Sequence, residues 1–190
     1  MYVIPVRENE ALKYLEEKYH ETFTLRASTT ISLDQPYGEL FYFSESFPTT
    51  PIKVYDDRRS FRDNYFGILI HDQIQGMLDR TIGDHGKIFF RYTATAFPDD
   101  FRDPSALPEL MENHPDCFML NMFLFTSEKE VSDGSGFQEI CERIRAESIT
   151  GMILSYAVEA EQIPLLSEEN YAEILSGPEA LSASQSAMIR

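Results

Sequence analysis

Tryptophan is absent from this chain of 190 residues, cysteine occurs only twice, and no apolar run approaches a membrane span. A spanning helix needs roughly 18 consecutive apolar residues, so direct membrane insertion is not expected of the chain as written. Cys117 and Cys141 lie too far apart for a Cys-x-x-Cys redox motif or a zinc ribbon. Cys117 opens an apolar stretch and Cys141 falls on an apolar helix face, the setting of two inert buried thiols. Export would allow them to pair instead. Positive charge is scarce as well: 16 Lys and Arg stand against 32 Asp and Glu, a net charge of −16 with a pI near 4.5. No basic cluster exceeds Arg58-Arg59. Such a surface repels phosphate backbones and anionic headgroups, which argues against nucleic acid and bare membrane and favours a basic protein or divalent cations. The same charge also keeps a protein soluble.

Catalytic signatures are missing too. The chain has no Gly-x-Gly-x-x-Gly and no Walker A loop, and Asp133-Gly-Ser-Gly136 does not make a nucleophile elbow. Nothing among the many acids selects a carboxylate pair for glycoside chemistry. Of the four histidines, no two stand at the i, i+4 spacing that puts two metal ligands on one helix face. No cofactor is implied. His71, Asp72 and His85 would form an acid–base or metal site only by converging with Asp56 or Asp57, and each has an ordinary surface explanation.

What is present is a good core. Apolar residues make up 43% of the chain, with 10 Tyr and 14 Phe. The patterning predicts an α+β fold with an antiparallel or mixed sheet of about six strands and helices on one face, as a single domain over residues 1–175 followed by a mobile tail over 176–190. The organising stretch is Thr22–Leu33. Phe23, Leu25, Ala27, Thr29, Ile31 and Leu33 share one parity, and hydroxyls with Arg26 take the other, as in a strand with one dry and one wet face. Before it, Asn9–Tyr19 reads as a helix capped by Asn9, with Ala11, Leu12, Leu15 and Tyr19 inward and Lys13, Glu16, Glu17 and Lys18 in water. His20 follows, where an imidazolium would favour the helix C-terminus.

Glu39–Glu45 and Ile52–Tyr55 complete a three-stranded meander. Asn64–Ile82 reads as a helix capped by Asp63 or Asn64, with Phe66, Leu69, Ile70, Ile74, Met77 and Leu78 on one face, ended by Gly83. Lys87–Thr95 is a fourth strand. Residues 96–115 form a loop with a helical turn or two near Ser105–Glu112. Cys117–Phe125 is apolar on both parities, as in a central strand covered on both sides; its exception, Asn121, must find a hydrogen bond if buried. Phe137, Ile140, Cys141 and Ile144 follow the i, i+3, i+4, i+7 rule of a helix, and Ile149–Val158 is a last strand. A short helix is expected from Glu168.

Between Ser127 and Leu175 eleven acids face three bases, a net of −8 and half the imbalance of the whole chain. Glu139, Glu142, Glu159, Glu161, Glu168 and Glu169 are therefore the candidate partner-binding residues.

Glu10-Ala-Leu-Lys-Tyr-Leu-Glu-Glu-Lys-Tyr19 with Phe23-Thr-Leu25, then Phe61-Arg-Asp-Asn-Tyr-Phe-Gly67 entering a helix and Lys87-Ile-Phe-Phe90 leaving it, resembles a group of small α+β proteins of Gram-positive bacteria. The resemblance covers roughly residues 8–92. It implies the fold and export, since many of these proteins are lipoproteins at the cell envelope. It transfers no functional residue, because the group carries no assigned activity. This chain shows neither a leader nor a lipid-bearing Cys, so as written it reads as cytoplasmic, and as extracytoplasmic if a leader is removed.

The sequence supports a non-catalytic binding or accessory protein that engages a basic partner through an acidic surface. A toxin-neutralising immunity protein is one alternative, and a hydrolase or metal-dependent enzyme using His71, Asp72, His85 and Asp56 is the other. Oligomeric state is not legible.

Overall fold

The computed structural model describes residues 4–32, 35–94, 96–127, 131, 134–176 and 183–190. Among them are five α-helices and eight strands, in two four-stranded sheets, one antiparallel and one mixed. The class is the expected α+β one, with the strands divided between two sheets. The chain separates into two compact units, Met1–Ile70 with Thr95–Leu107, and His71–Ala94 with Pro108–Arg190.

The first unit is built on an antiparallel meander of β1 (Phe23–Ser28), β2 (Gly38–Ser44), β3 (Ile52–Asp56) and β4 (Phe61–Asp63), in that spatial order. β2 alternates as its sequence demands: Gly38, Leu40, Tyr42 and Ser44 are buried, and the residues between them are half-exposed. Helix α1 (Glu8–Tyr19) contributes Ala11 and Leu15 to a core shared with Phe23, Leu40, Tyr42, Ile52, Val54 and Tyr65. Each such side chain taken from water is worth roughly 1.5–3 kcal/mol.

The organising strand is shorter than its alternation predicts. A bulge between Leu25 and Ala27 shifts the register, so that Ala27 pairs with Phe41 and Ser28 with Leu40. The bulge sets Ala27 opposite Phe41, on the half-exposed face of β2, and Ala27 is exposed although it shares Phe23's parity. Phe23 stays inward at 4% exposure, and Ile31 is buried through an isolated bridge to Ile4. Leu33 lies outside the described residues.

Asn9 is not a cap. The helix starts one residue earlier, with Arg7 at the N-cap and no side-chain cap bond. At the other end His20 adopts φ 56° and donates its backbone N–H to the Glu16 carbonyl. Helix α2 (Tyr65–Ile82) begins where expected: the Asp63 carboxylate accepts the Tyr65 N–H at 2.9 Å, while Asn64 turns away to accept the Lys53 N–H at 2.7 Å.

The second unit carries the mixed sheet, in the order β5 (Lys87–Tyr92), β6 (Met119–Thr126), β7 (Thr150–Ala157) and β8 (Gln185–Ile189). β6 is central, antiparallel to β5 and parallel to β7. The parallel pair requires a crossover, supplied by α4 (Ser135–Ala146), whose Phe137, Ile140, Cys141 and Ile144 are all buried. Helix α3 (Leu107–Asn113) precedes β6, and α5 (Tyr171–Ser176) follows β7. β8 pairs antiparallel with β7 inside the stretch that the sequence assigns to a mobile tail. Its Ile189 is 1% exposed. Cys117 and Cys141 are not joined by a disulfide, and burial pushes the Cys141 thiol up.

Candidate functional site

Two buried carboxylates dominate the polar chemistry of the first unit. Asp63, fully buried at the end of β4, receives Lys18 Nζ at 2.8 Å and the Tyr14 hydroxyl at 2.7 Å on one oxygen. Its other oxygen receives the Tyr19 hydroxyl at 2.7 Å and the Tyr65 N–H. Lys18 donates in addition to the Tyr14 oxygen and to the Pro98 carbonyl, both at 3.2 Å, which occupies all three ammonium protons. The network is closed. The three Lys18 protons and both Asp63 oxygens already serve neighbours. Burial, followed by the Asp63 charge, pushes the hydroxyls of Tyr14 and Tyr19 well above the ordinary phenol range.

Lys18 corrects the expectation of a water-facing lysine. Its side chain is 4% exposed. The signal was available in the spacing, since Lys18 stands seven residues after Ala11 and three after Leu15, on the apolar stripe itself.

Asp56, one of the four candidate catalytic residues, ends β3 with a side chain 0% exposed. It is clamped by Arg7, whose Nη2 lies at 2.6 Å, Nε at 3.1 Å and backbone N–H at 3.0 Å, and by the Arg58 N–H at 2.8 Å. The Arg7 guanidinium also lies 4.3 Å from the centre of the Phe61 ring. Burial alone would raise the Asp56 carboxyl, but the hydrogen bonds from Arg7 and Arg58 outweigh it and hold the group below the ordinary aspartate range. Such a carboxylate adds stability above its unfolded pKa of about 3.9 and loses that contribution as pH falls through the lower folded value. Urea midpoints measured from about pH 5 to about pH 2 are therefore expected to fall in the native chain, and to fall less in Asp56→Asn, with the difference confined to the acid limb.

The other three candidates belong to the second unit. His71 stacks on Phe90 with ring centres 4.7 Å apart. Its Nδ1 lies 3.5 Å from Asp72 and its Nε2 lies 3.4 Å from Glu168. Asp72 is fully exposed, and His85 is half-buried in the turn Gly83–His85. Among the described residues no group of three or more His, Cys, Asp or Glu could hold a metal ion.

Clefts are present in each unit. In the first, one of about 490 Å³ lies between Pro5–Glu10 and Ser28–Thr30, and one of about 320 Å³ opens beside Tyr14, Glu17, Asp99 and Arg102. In the second, a cleft of about 430 Å³ runs past Gln75, Asp79, Lys87 and Glu168. Its polar groups hold the local fold: Gln75 Nε2 donates to Asp79 at 2.8 Å and to the Ile88 carbonyl at 2.7 Å, and Lys87 Nζ donates to the Pro164 and Leu166 carbonyls.

The remaining candidates share one property. Glu139, Glu142, Glu159, Glu161, Glu168 and Glu169 are all exposed. Among the described residues only Glu168 of these six lies against a basic side chain, His71 Nε2 at 3.4 Å, and Glu142 accepts a single hydrogen bond from Gln138. Among these residues, too, no helix is long and apolar enough to cross a membrane.

These features define an α+β protein whose buried carboxylates Asp56 and Asp63 are matched by Arg7 and Lys18, and whose six candidate glutamates have few partners among the described residues. No family model matches the chain, and no curated protein matches it. It is similar to the crystal structure of a DUF5037 family protein from the Gram-positive bacterium Ruminococcus gnavus, with a TM-score of 0.46 and 15% identity. The likeness covers 83% of this chain and 77% of that one, and at that level it bears on nothing about function.

Proposed function

We propose that the protein is a non-catalytic binding or accessory protein, associated with the cell envelope, that engages a basic protein partner through the carboxylates on the exterior of its second unit. The observation carrying this reading is the set of exposed glutamates with almost no internal cations. Carboxylates that spend no field on neighbours keep it for an incoming cation, steering its approach and disfavouring acidic competitors. The closed networks around Asp63 and Asp56 support the non-catalytic half of the reading, because the hydrolase alternative needs Asp56 as a free base and Arg7 already binds it. The resemblance of residues 8–92 to a group of small α+β proteins of Gram-positive bacteria, many of them envelope lipoproteins, supports the location. An immunity protein is a narrower form of the same reading.

The test is affinity capture from the cells that make the protein, comparing the native chain with Glu159→Lys/Glu161→Lys/Glu168→Lys/Glu169→Lys. The native chain is expected to retain a basic protein that elutes as salt rises, and the variant to recover less than about a tenth of it. Equal recovery by the variant, or a captured protein indifferent to salt, would count against the reading.

A further inference from the structure

An open sheet has two edge strands, and each edge presents unpaired N–H and C=O groups on which another chain can pair. The two sheets have four edges, β1 and β4 in the first unit and β5 and β8 in the second. Three of the four carry a defence against such pairing: a bulge, a charge or a very short strand. β1 is bulged between Leu25 and Ala27, with Arg26 at the bulge. β4 is three residues long, carries Arg62, and is bridged at Asp63 to Phe97. β5 carries Lys87 and Arg91. β8 has none of these. Gln185-Ser-Ala-Met-Ile189 contains no charge and no proline, and its register with β7 runs without a shift. Among the described residues, 186–189 make no backbone hydrogen bond beyond the ladder to β7. The side chains are open as well. Met188 is 49% exposed, and the next two residues of its row, Met152 and Asn121, are half-exposed. Asn121 thus has water at its amide. β6 is covered on that face only toward Tyr171 of α5, which stacks on Phe89 and meets Phe123, a correction to the two-sided covering its sequence predicts.

We propose that β8 pairs with β8 of a second copy of this chain, antiparallel across a two-fold axis, joining two four-stranded sheets into one of eight. The inference is independent of the acidic-surface reading. Charge selects the occupant. A basic strand finds no carboxylate on β8 and an acidic strand finds no cation, whereas β8 is itself an uncharged strand. Two copies at −16 each repel over most of their surfaces, and these two strands bring no carboxylate against another. Shape agrees with charge. In a pair centred on Ala187, Met188 of each copy lies opposite Ser186 of the other on the same face, large against small. Two-fold pairing also uses both open edges at once, so the assembly stops at a dimer. A single strand pair is a small interface, which sets the expected dissociation constant at about 100 µM. Added salt screens the repulsion between the two copies and tightens the dimer, the opposite of its effect on a basic partner.

The experiment is sedimentation of the full chain from about 10 µM to about 1 mM, which is expected to show monomer passing to dimer and no further. The dissociation constant is expected to fall as salt rises from about 50 mM to about 300 mM. Over the same protein concentrations, amide hydrogen exchange within residues 186–189 is expected to slow at the positions facing away from β7. Ser186→Lys/Met188→Lys gives β8 the charge that the other edges carry, at two exposed positions. It is expected to weaken the dimer at least about tenfold while circular dichroism stays native. A native chain still monomeric at about 1 mM overturns the inference. A dimer that survives both lysines, or that leaves exchange at 186–189 fast, places the contact elsewhere and overturns it too. Growth past the dimer, or a dimer that salt weakens, overturns the uncharged two-fold pairing. If the lysines disturb folding, amide exchange in the native chain decides alone.

Discussion

Lys18→Met is expected to lower the unfolding free energy by about 3–5 kcal/mol, the usual cost of removing one partner from a buried ion pair. The size follows from what is left behind. Asp63 is 0% exposed, and its oxygens would keep two tyrosine hydroxyls and one backbone N–H but lose the cation that balances their charge. The Pro98 carbonyl and the Tyr14 oxygen would lose a donor in the same step. Urea denaturation gives the measurement. A double-mutant cycle with Asp63→Asn separates charge from packing: if the pair matters as a pair, the double variant is less destabilised than the sum of the singles by about 1–3 kcal/mol. A Lys18→Met midpoint within error of the native one would mean that the ammonium is dispensable, and that the closed network does not hold α1 to β4.

The second large effect is expected at Gly151, the second residue of β7. Its φ of +134° is one that residues bearing a Cβ rarely adopt. An added Cβ would also lie 2.0 Å from the Leu120 carbonyl oxygen and 2.6 Å from the Leu120 nitrogen. Both obstacles are backbone, in the central strand of the sheet, and neither can move without opening the parallel ladder between β6 and β7. Gly151→Ala is therefore expected to cost about 4 kcal/mol or more, seen as insoluble protein or a collapsed urea midpoint. Gly76→Ala is the control of opposite sign. That glycine lies inside α2, where a Cβ meets only the Arg80 guanidinium at 3.5 Å, and the change is expected to stabilise by about 0.5–1 kcal/mol.

Periodic segments were legible and exceptions to periodicity were not. The face of α4 followed from four apolar residues at helical spacing, and the centrality of β6 from its two-sided apolarity, because both signals are local and repeat. The bulge in β1 was invisible because it depends on the register with Phe41 and Leu40 of the partner strand, not on its own pattern. β4 is only three residues long, too short for alternation to register against a loop. β8 escaped because Gln185-Ser-Ala-Met-Ile189, in a Ser- and Ala-rich stretch, has little strand propensity of its own and is held by pairing with β7. Lys18 was misplaced by residue type despite lying on the right stripe, since a lysine is assigned to water unless a carboxylate is known to be waiting for it. The acids of the second unit could be found by counting alone. That Asp56 is consumed by Arg7, 49 positions away, could not be found that way.

The most direct measurement is the affinity of the full chain for an oligolysine probe at about 50 mM and about 300 mM salt, by calorimetry. If the exposed glutamates of the second unit are what the protein presents to its partner, binding weakens at least about tenfold across that range, and it disappears when Glu159, Glu161, Glu168 and Glu169 are replaced by Lys. Affinity that does not change with salt, or that survives the four replacements, contradicts the account.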